Sequence, residues 1–371
     1  MGISGCLCAE LLAGIEDGSA IEVKTSCDTF VGRLVGNITG NVIQLMESDD
    51  TILNICCKDV CSIRKLPILP LAYVAIFDEG NGNTVDVINT NTDTVINTIT
   101  VGRGPTRVAI TSDGSEAYVV NGIDRTVSVI DTLSNSVISV IPVGDNPQGI
   151  AITPDNAKAY VANHVSDTLS IINAVDDIVI GTISMDSPFD IAITPDGTRG
   201  YVVNLNIDSV TVIDISTDSI IDTITAVDGI GDGPSAIDIT PDGNKAYVTN
   251  SNDDTVSVID LSDNTVIATI AVGDTPRDIA ITPDGTKAYV ANGLSNSISI
   301  IDTATDMLVD TIMVGGPPNE VAITPDGAKA FVTLQSTTNV AIVGVEDNLL
   351  HGTVTVGNDP IGIAIGFAPV S

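Results

Sequence analysis

The sequence has no tryptophan, 5 phenylalanines, 6 tyrosines and 2 histidines among 371 residues. With so few large aromatics, a core has to be filled by Val, Ile, Ala and Leu, and the first two favour strands. Basic residues are also scarce: 14 Lys and Arg stand against 48 Asp and Glu, for a net charge of -34. Such a surface repels phosphate backbones and anionic membranes, so no nucleic acid is expected as a partner and cationic or neutral partners are. No apolar run reaches the roughly 18 residues of a spanning helix, and no membrane insertion is expected. The opening residues, MGISGCLCAELLAGIEDG, lack the basic segment of a secretory signal, and Cys6 stands where a myristoylation signal wants Ser or Thr.

What the chain does have is a repeat. Tyr73, Tyr118, Tyr160, Tyr201, Tyr247 and Tyr289 are spaced 45, 42, 41, 46 and 42 residues apart, and Phe331 follows after another 42. That period is the length of one four-stranded propeller blade. In the unit PRDIAITPDGTKAYVANGLSNSISIIDTATDMLVDTIMVG, from Pro276 to Gly315, four β-branched runs (A to D) are separated by turn residues. The A to B corner is Thr-Pro-Asp-Gly at Thr194–Gly197, Thr240–Gly243, Thr282–Gly285 and Thr324–Gly327, where Pro presets φ and Gly accepts a positive one. The acid that recurs after strand C (Asp131, Asp214, Asp260, Asp302) reads as a turn cap.

Counting strands tests closure. The repeat region begins with a strand B at Ala72 to Phe77 and ends with a strand A at Ile361 to Ile365, giving seven of each type. The expected fold is therefore an all-β, seven-bladed propeller of four-stranded antiparallel blades, closed by the C-terminal strand A pairing with the first strand B. Residues 72 to 371 form this domain. Residues 1 to 66 form a small cysteine-rich β-barrel domain of short alternating strands, preceded by a short helix over residues 3 to 15. Residues 67 to 71 of the segment LPILPL read as a stiff proline linker.

The repeat resembles the YVTN-type propellers, whose motif stands literally at Tyr247, Val248, Thr249 and Asn250. The resemblance spans residues 72 to 366. It implies kinship with archaeal and bacterial surface proteins and with propellers similar to the lactonase and nitrite reductase families. The N-terminal segment is loosely similar to Sm-like or SH3-like barrels of spore-coat-associated proteins.

All six cysteines, Cys6, Cys8, Cys27, Cys56, Cys57 and Cys61, fall in that segment. Their spacing is irregular for a zinc ribbon, which disfavours a metal site. Disulfides within the domain, cross-links between chains and free thiols stay open. His164 in a B to C loop and His351 in strand D have no partner pattern and read as surface residues.

Loops from D to A and from B to C share one face and line the mouth of the central channel. In the pattern P-x-x-[IV]-A-I, the residue two before Ala is Arg107, Gly149, Asp190, Ala236, Asp278, Glu320 and Gly362, and Asp238 replaces Ala once. With Phe189 and Arg277 these are the ligand-binding candidates. They suit a cation or polar ligand, or simply solvate the mouth. No cofactor is expected, a divalent cation being the one exception considered, and no catalytic residue is assigned. The expected role is a noncatalytic surface, coat or scaffold protein of a bacterial or archaeal cell or spore, with the cysteine domain mediating protein contacts or self-assembly. The alternative is a lactonase-like or lyase-like enzyme, or a metal or small-ligand binder, using the channel mouth.

Overall fold

The computed structural model describes residues 20–25, 29–34, 42–46, 52–56, 60–65 and 68–369. From residue 68 onward the chain builds seven four-stranded antiparallel sheets, with strands A from successive blades in contact all the way round the axis. Blade 1 combines strand A, Pro360–Pro369, with strands B to D at Ile68–Ile76, Thr84–Asn89 and Thr94–Thr100. Blades 2 to 7 open with strand A at Pro105–Ile110, Pro147–Ile152, Pro188–Ile193, Pro234–Ile239, Pro276–Ile281 and Pro318–Ile323. The expected seam is present, with Ile363 opposite Val74 and Ile365 opposite Ala72.

Of the residues expected as a linker, 68 to 71 belong to that seam. Ile68 to Leu71 extend strand B, and Pro70 pairs with Phe367. The proline is tolerated because it lies one residue past the last ladder pair, Leu71 with Asn89: its carbonyl accepts from the Thr90 N–H at 3.2 Å, and the Thr90 carbonyl that would face a residue-70 N–H accepts from the Lys329 Nζ at 2.9 Å instead.

Strands B and C lie between neighbouring blades and are buried on both faces, whereas strand D is the exposed outer edge. This is why B and C read as continuous apolar runs. The repeated tyrosine is fully buried in blades 1 to 6, and Phe331 takes its place in blade 7. Its hydroxyl reaches the C to D turn of the next blade, as Tyr201 does to Asn264 at 2.8 Å and Tyr289 to Asn348 at 3.2 Å. These turn residues, with Asp177, Asp218 and Asp306, adopt positive φ, which Asn and Asp tolerate best among non-glycine residues. The Thr-Pro-Asp-Gly corners place Gly197, Gly243, Gly285 and Gly327 at φ near +70°, as their sequence requires.

In blades 3, 5 and 7 a lysine two residues before this aromatic position completes the staple: Lys158, Lys245 and Lys329 bind Asp218, Asp306 and Asp93 of the adjoining blade at 2.7 to 2.8 Å. Blade 2 breaks this rule. Glu116 stands in the lysine's place, and the Tyr118 hydroxyl lies 3.1 Å from both Glu116 and Asp177. Burial, reinforced by the Asp177 charge, raises the Glu116 carboxyl to about 7. Because the folded chain keeps this proton to a higher pH than the unfolded chain, its stabilising contribution is present below the ordinary carboxyl pKa and is lost as pH rises through 7. Glu116→Lys restores the repeat's ion pair and is expected to stabilise the protein by about 1 kcal/mol at pH 8. Thermal unfolding of the variant at pH 5 and pH 8 checks this, since the gain should be smaller at pH 5.

The described N-terminal strands, β1 (Ala20–Thr25), β2 (Thr29–Leu34), β3 (Val42–Met46), β4 (Ile52–Cys56) and β5 (Val60–Lys65), form one antiparallel sheet in the order β4-β3-β2-β1-β5. Its first strand thus pairs with both the second and the last. Cys56 ends β4 and Cys61 lies in β5. Cys6, Cys8, Cys27, Cys57 and the helix expected over residues 3 to 15 lie outside the described residues. Among the described residues no helix is long and apolar enough to cross a membrane.

A candidate ligand site at the channel mouth

Every strand A carries a β-bulge just after its first proline. Pro276 opposes Asn292 and Asp278 opposes Ala291, so Arg277 is the extra residue, and the same one-residue shift recurs in all seven blades. A bulge re-aims side chains that strict alternation would send to opposite faces. Here it sends the residue after each proline into the mouth. Thr106, Gln148, Phe189, Ser235, Arg277, Asn319 and Ile361 form the upper ring of a cavity of about 530 Å³, within the usual range of small-molecule sites.

The next ring is the one singled out from the repeat alignment. Arg107 reaches across the axis to three carboxylates from other blades: Nη1 lies 2.9 Å from Asp278 and 2.9 Å from Glu320, and Nη2 lies 3.2 Å from Asp190. Side-chain exposure is 17% for Arg107 and at most 9% for the three acids, so this is a buried cluster. Gly149, Ala236 and Gly362 complete the ring. A Cβ on Gly149 would sit 2.6 Å from the Asp190 Cα, and one on Gly362 would strike the Thr106 carbonyl, so each glycine gives its neighbouring blade's charged residue room.

The carboxylates also serve the inner edge of the propeller, where strand A has backbone N–H groups without a neighbouring strand. Asp278 accepts from the Val321 N–H at 2.9 Å, Asp190 from Ile237 at 3.3 Å and Asp238 from Ile281 at 2.7 Å. Asp238 lies one ring deeper, at the alanine position of the other blades, and its second oxygen accepts from the Ile239 N–H. It does not line the cavity. Only Glu320 and Arg107 of the second ring form its floor, with Phe189 and Arg277 on the wall. The expected acidic mouth thus already contains a cation at its centre.

Burial sets the protonation of this cluster. It pushes the Glu320 carboxyl up to about 8, partly opposed by Arg107, and the Asp238 carboxyl up to about 7 against its two backbone donors. Asp190 is raised for the same reason, with Arg107 opposing. For Arg107, burial pulls downward, and the three acids together outweigh it and keep the guanidinium charged. Three carboxylates around one guanidinium favour retaining a proton within the cluster, and Glu320 is the one of the three that faces the cavity.

Some wall residues were not singled out in the sequence. Gln148, Asn319, Thr275 and Gln335 line the cavity; the first two occupy the position after the strand-A proline, which was the signal available. His164, read as a surface residue, is half-buried and packs edge-on to Phe189 with ring centroids 5.6 Å apart, its Nδ1 lying 3.2 Å from the Ser187 hydroxyl. His351 is exposed on the rim of blade 7 and pairs with Asp347. Among the described residues no group of three or more His, Cys, Asp or Glu side chains is arranged to hold a metal ion.

Thr275 carries strain. It lines the cavity with φ at +54°, where a β-branched residue is poorly accommodated. Thr275→Gly is expected to raise stability by about 1 kcal/mol, measurable by chemical unfolding, while altering the wall beside Arg277.

Fold and cavity together define a seven-bladed β-propeller protein with a ligand-sized pocket at its axis. The family model described as a seven-bladed β-propeller lactonase matches residues 188–311, and that of the YNCE-like β-propellers matches residues 105–206. Among solved structures, the chain is similar to hydrazine synthase from Kuenenia stuttgartiensis, with 23% identity and a TM-score of 0.65 over 70% of this chain and 89% of that one. A putative 6-phosphogluconolactonase from Bacteroides fragilis shares 19% identity and a TM-score of 0.68, covering 81% and 98%. A functionally unknown protein from Desulfotomaculum acetoxidans shares 19% identity and a TM-score of 0.70, covering 82% and 100%. No curated protein matches the chain.

These comparisons correct the expected role. The noncatalytic coat or scaffold reading gives way to an enzyme or ligand-binding propeller, because the lactonase model covers the blades that supply Phe189, Asp190, Arg277 and Asp278. Neither family match extends to the N-terminal strands, so the likeness to Sm-like or SH3-like barrels and the surface or spore assignment gain no support from them.

Proposed function

We propose that the protein binds a small molecule in the axial cavity and hydrolyses a lactone there. The observation that carries this reading is Glu320, a buried carboxyl on the cavity floor 2.9 Å from Arg107, and burial pushes its pKa up to about 8. A group poised near neutral pH is suited to proton transfer. Once ionised, Glu320 takes a proton from a water whose oxygen attacks the ring carbonyl. The tetrahedral intermediate then collapses, the ring C–O bond breaks, and Glu320 returns the proton to the departing alkoxide. Arg107 is the cation beside the charge that develops. The lactonase family match supports the reaction class.

A panel of five- and six-membered lactones, assayed by acid release with the full chain, tests the reading. Turnover that rises with pH and levels off above about 8 is the expected result. No turnover of any member counts against hydrolysis.

A further inference from the structure

We infer that Arg277 is the seat of a single carboxylate, and that the cavity's ligand is a monocarboxylate with an apolar body. This deepens the proposed use of the cavity and rests on a small molecule entering it.

In a chain with 48 acidic residues, Arg277 stands on the cavity wall with neutral partners: its Nη1 donates to the side-chain oxygens of Asn319, at 3.3 Å, and Gln335. Among the described residues no carboxylate lies within ion-pair distance of it. The acid whose field it feels is Asp359, and both Asp359 oxygens are engaged, by the backbone N–H groups of Ser336 at 2.7 Å and Glu79 at 3.3 Å. Burial lowers the Arg277 pKa, so a desolvated guanidinium here gains from an anion.

The arginine is also held in place. Asn319 is oriented by donating its Nδ2 to the Ile361 carbonyl at 2.9 Å, which turns its oxygen toward the guanidinium. Gly293 leaves the space that the Arg277 side chain occupies, since a Cβ there would strike Nε.

The charge count selects the anion. A planar carboxylate matches one guanidinium fork in charge and geometry. A phosphomonoester brings nearly two charges at neutral pH into a cavity whose other cation, Arg107, is already shared by three acids. Away from Arg277 the wall turns apolar, with Phe189 and Leu205 of blade 4 and, across the ring from blade 6, Ile123 of blade 2. In the hydrolytic reading, the carboxylate is the one that ring opening creates.

Calorimetric titration of the full chain with phenylacetate, phenyl phosphate and phenylacetamide at pH 7 tests this. Phenylacetate is expected to bind at least about 10-fold more tightly than either analogue, and Arg277→Gln to remove that preference. Equal or tighter binding of phenyl phosphate or phenylacetamide, binding of none of the three, or an unchanged preference in Arg277→Gln each overturns the inference. If the glutamine variant does not fold, Arg277→Lys is read instead: it should keep the sign of the preference and lose part of its size, and an unchanged size overturns the inference. Phenylacetate binding without lactone turnover sinks the hydrolytic reading alone. Lactone turnover and inhibition by phenylacetate that are both indifferent to Arg277→Gln sink the carboxylate seat alone.

Discussion

Replacing Arg107 with methionine is expected to destabilise the protein by about 3 to 5 kcal/mol at pH 7, the usual consequence of leaving buried charges without their partner. Asp190, Asp278 and Glu320 would then face one another across the axis with no guanidinium between them. Their carboxyls would hold protons to a higher pH than in the unfolded chain, so the deficit should shrink at pH 5 and grow at pH 8. Adding Asp190→Asn, Asp278→Asn and Glu320→Gln should recover much of the loss, because neutral amides of the same shape need no counter-ion. The wild type follows the same sign more weakly. With Glu320 raised to about 8 and Asp238 to about 7, the stabilisation they carry is present below the ordinary carboxyl range and is lost as pH rises through 7 to 8. Unfolding midpoints from pH 5 to 9 decide it: a rising profile means the cluster is already fully ionised, and a uniform loss in Arg107→Met means that packing, not charge, is what the arginine supplies.

Glu320→Gln is expected to lower lactone turnover by about 100-fold or more, the scale of a lost general base, with little change in KM. The glutamine keeps the side-chain volume and its contact with Arg107, so the wall of the cavity should be preserved. The pH profile separates this role from a structural one. In the wild type the rate climbs to a plateau above about pH 8; in Glu320→Gln the residual rate should lose that step. A variant that keeps both the rate and the step removes Glu320 from the chemistry.

The architecture was legible because the repeat states it several times. The tyrosine spacing, the proline-glycine corners and the strand count each point to a closed ring, and the seam at Ile363 and Val74 agrees. Three things were hidden, wholly or in part. Residues 68 to 71 looked like a linker because Pro67 and Pro70 argue locally against a strand, and Pro70 is harmless only because it falls one residue past the last pair of strands B and C, where Lys329 already satisfies the Thr90 carbonyl. The upper ring of the cavity was hidden in part by the bulge, only Phe189 and Arg277 of it having been singled out. Alternation assigns Arg277 and Asp278 to opposite faces, yet the extra residue turns both inward, so Gln148, Asn319 and Ser235 went unnoticed beside the aligned Asp and Glu positions. The reach of Arg107 across the axis could not be read from an alignment of blades, because it joins blade 2 to blades 4, 6 and 7.

The seam also fixes when the ring can be finished. The two strands that close blade 1 are separated by about 290 residues, so at ordinary synthesis rates of about 5 to 20 residues per second the first waits roughly 15 to 60 seconds for the second. Throughout that interval Ile68–Ile76 presents a bare edge, and the axial cluster lacks the glycine that seats Arg107 beside blade 1. A growing chain can therefore stack most of its blades, but it acquires its pocket only when the strand Pro360–Pro369 joins blade 1.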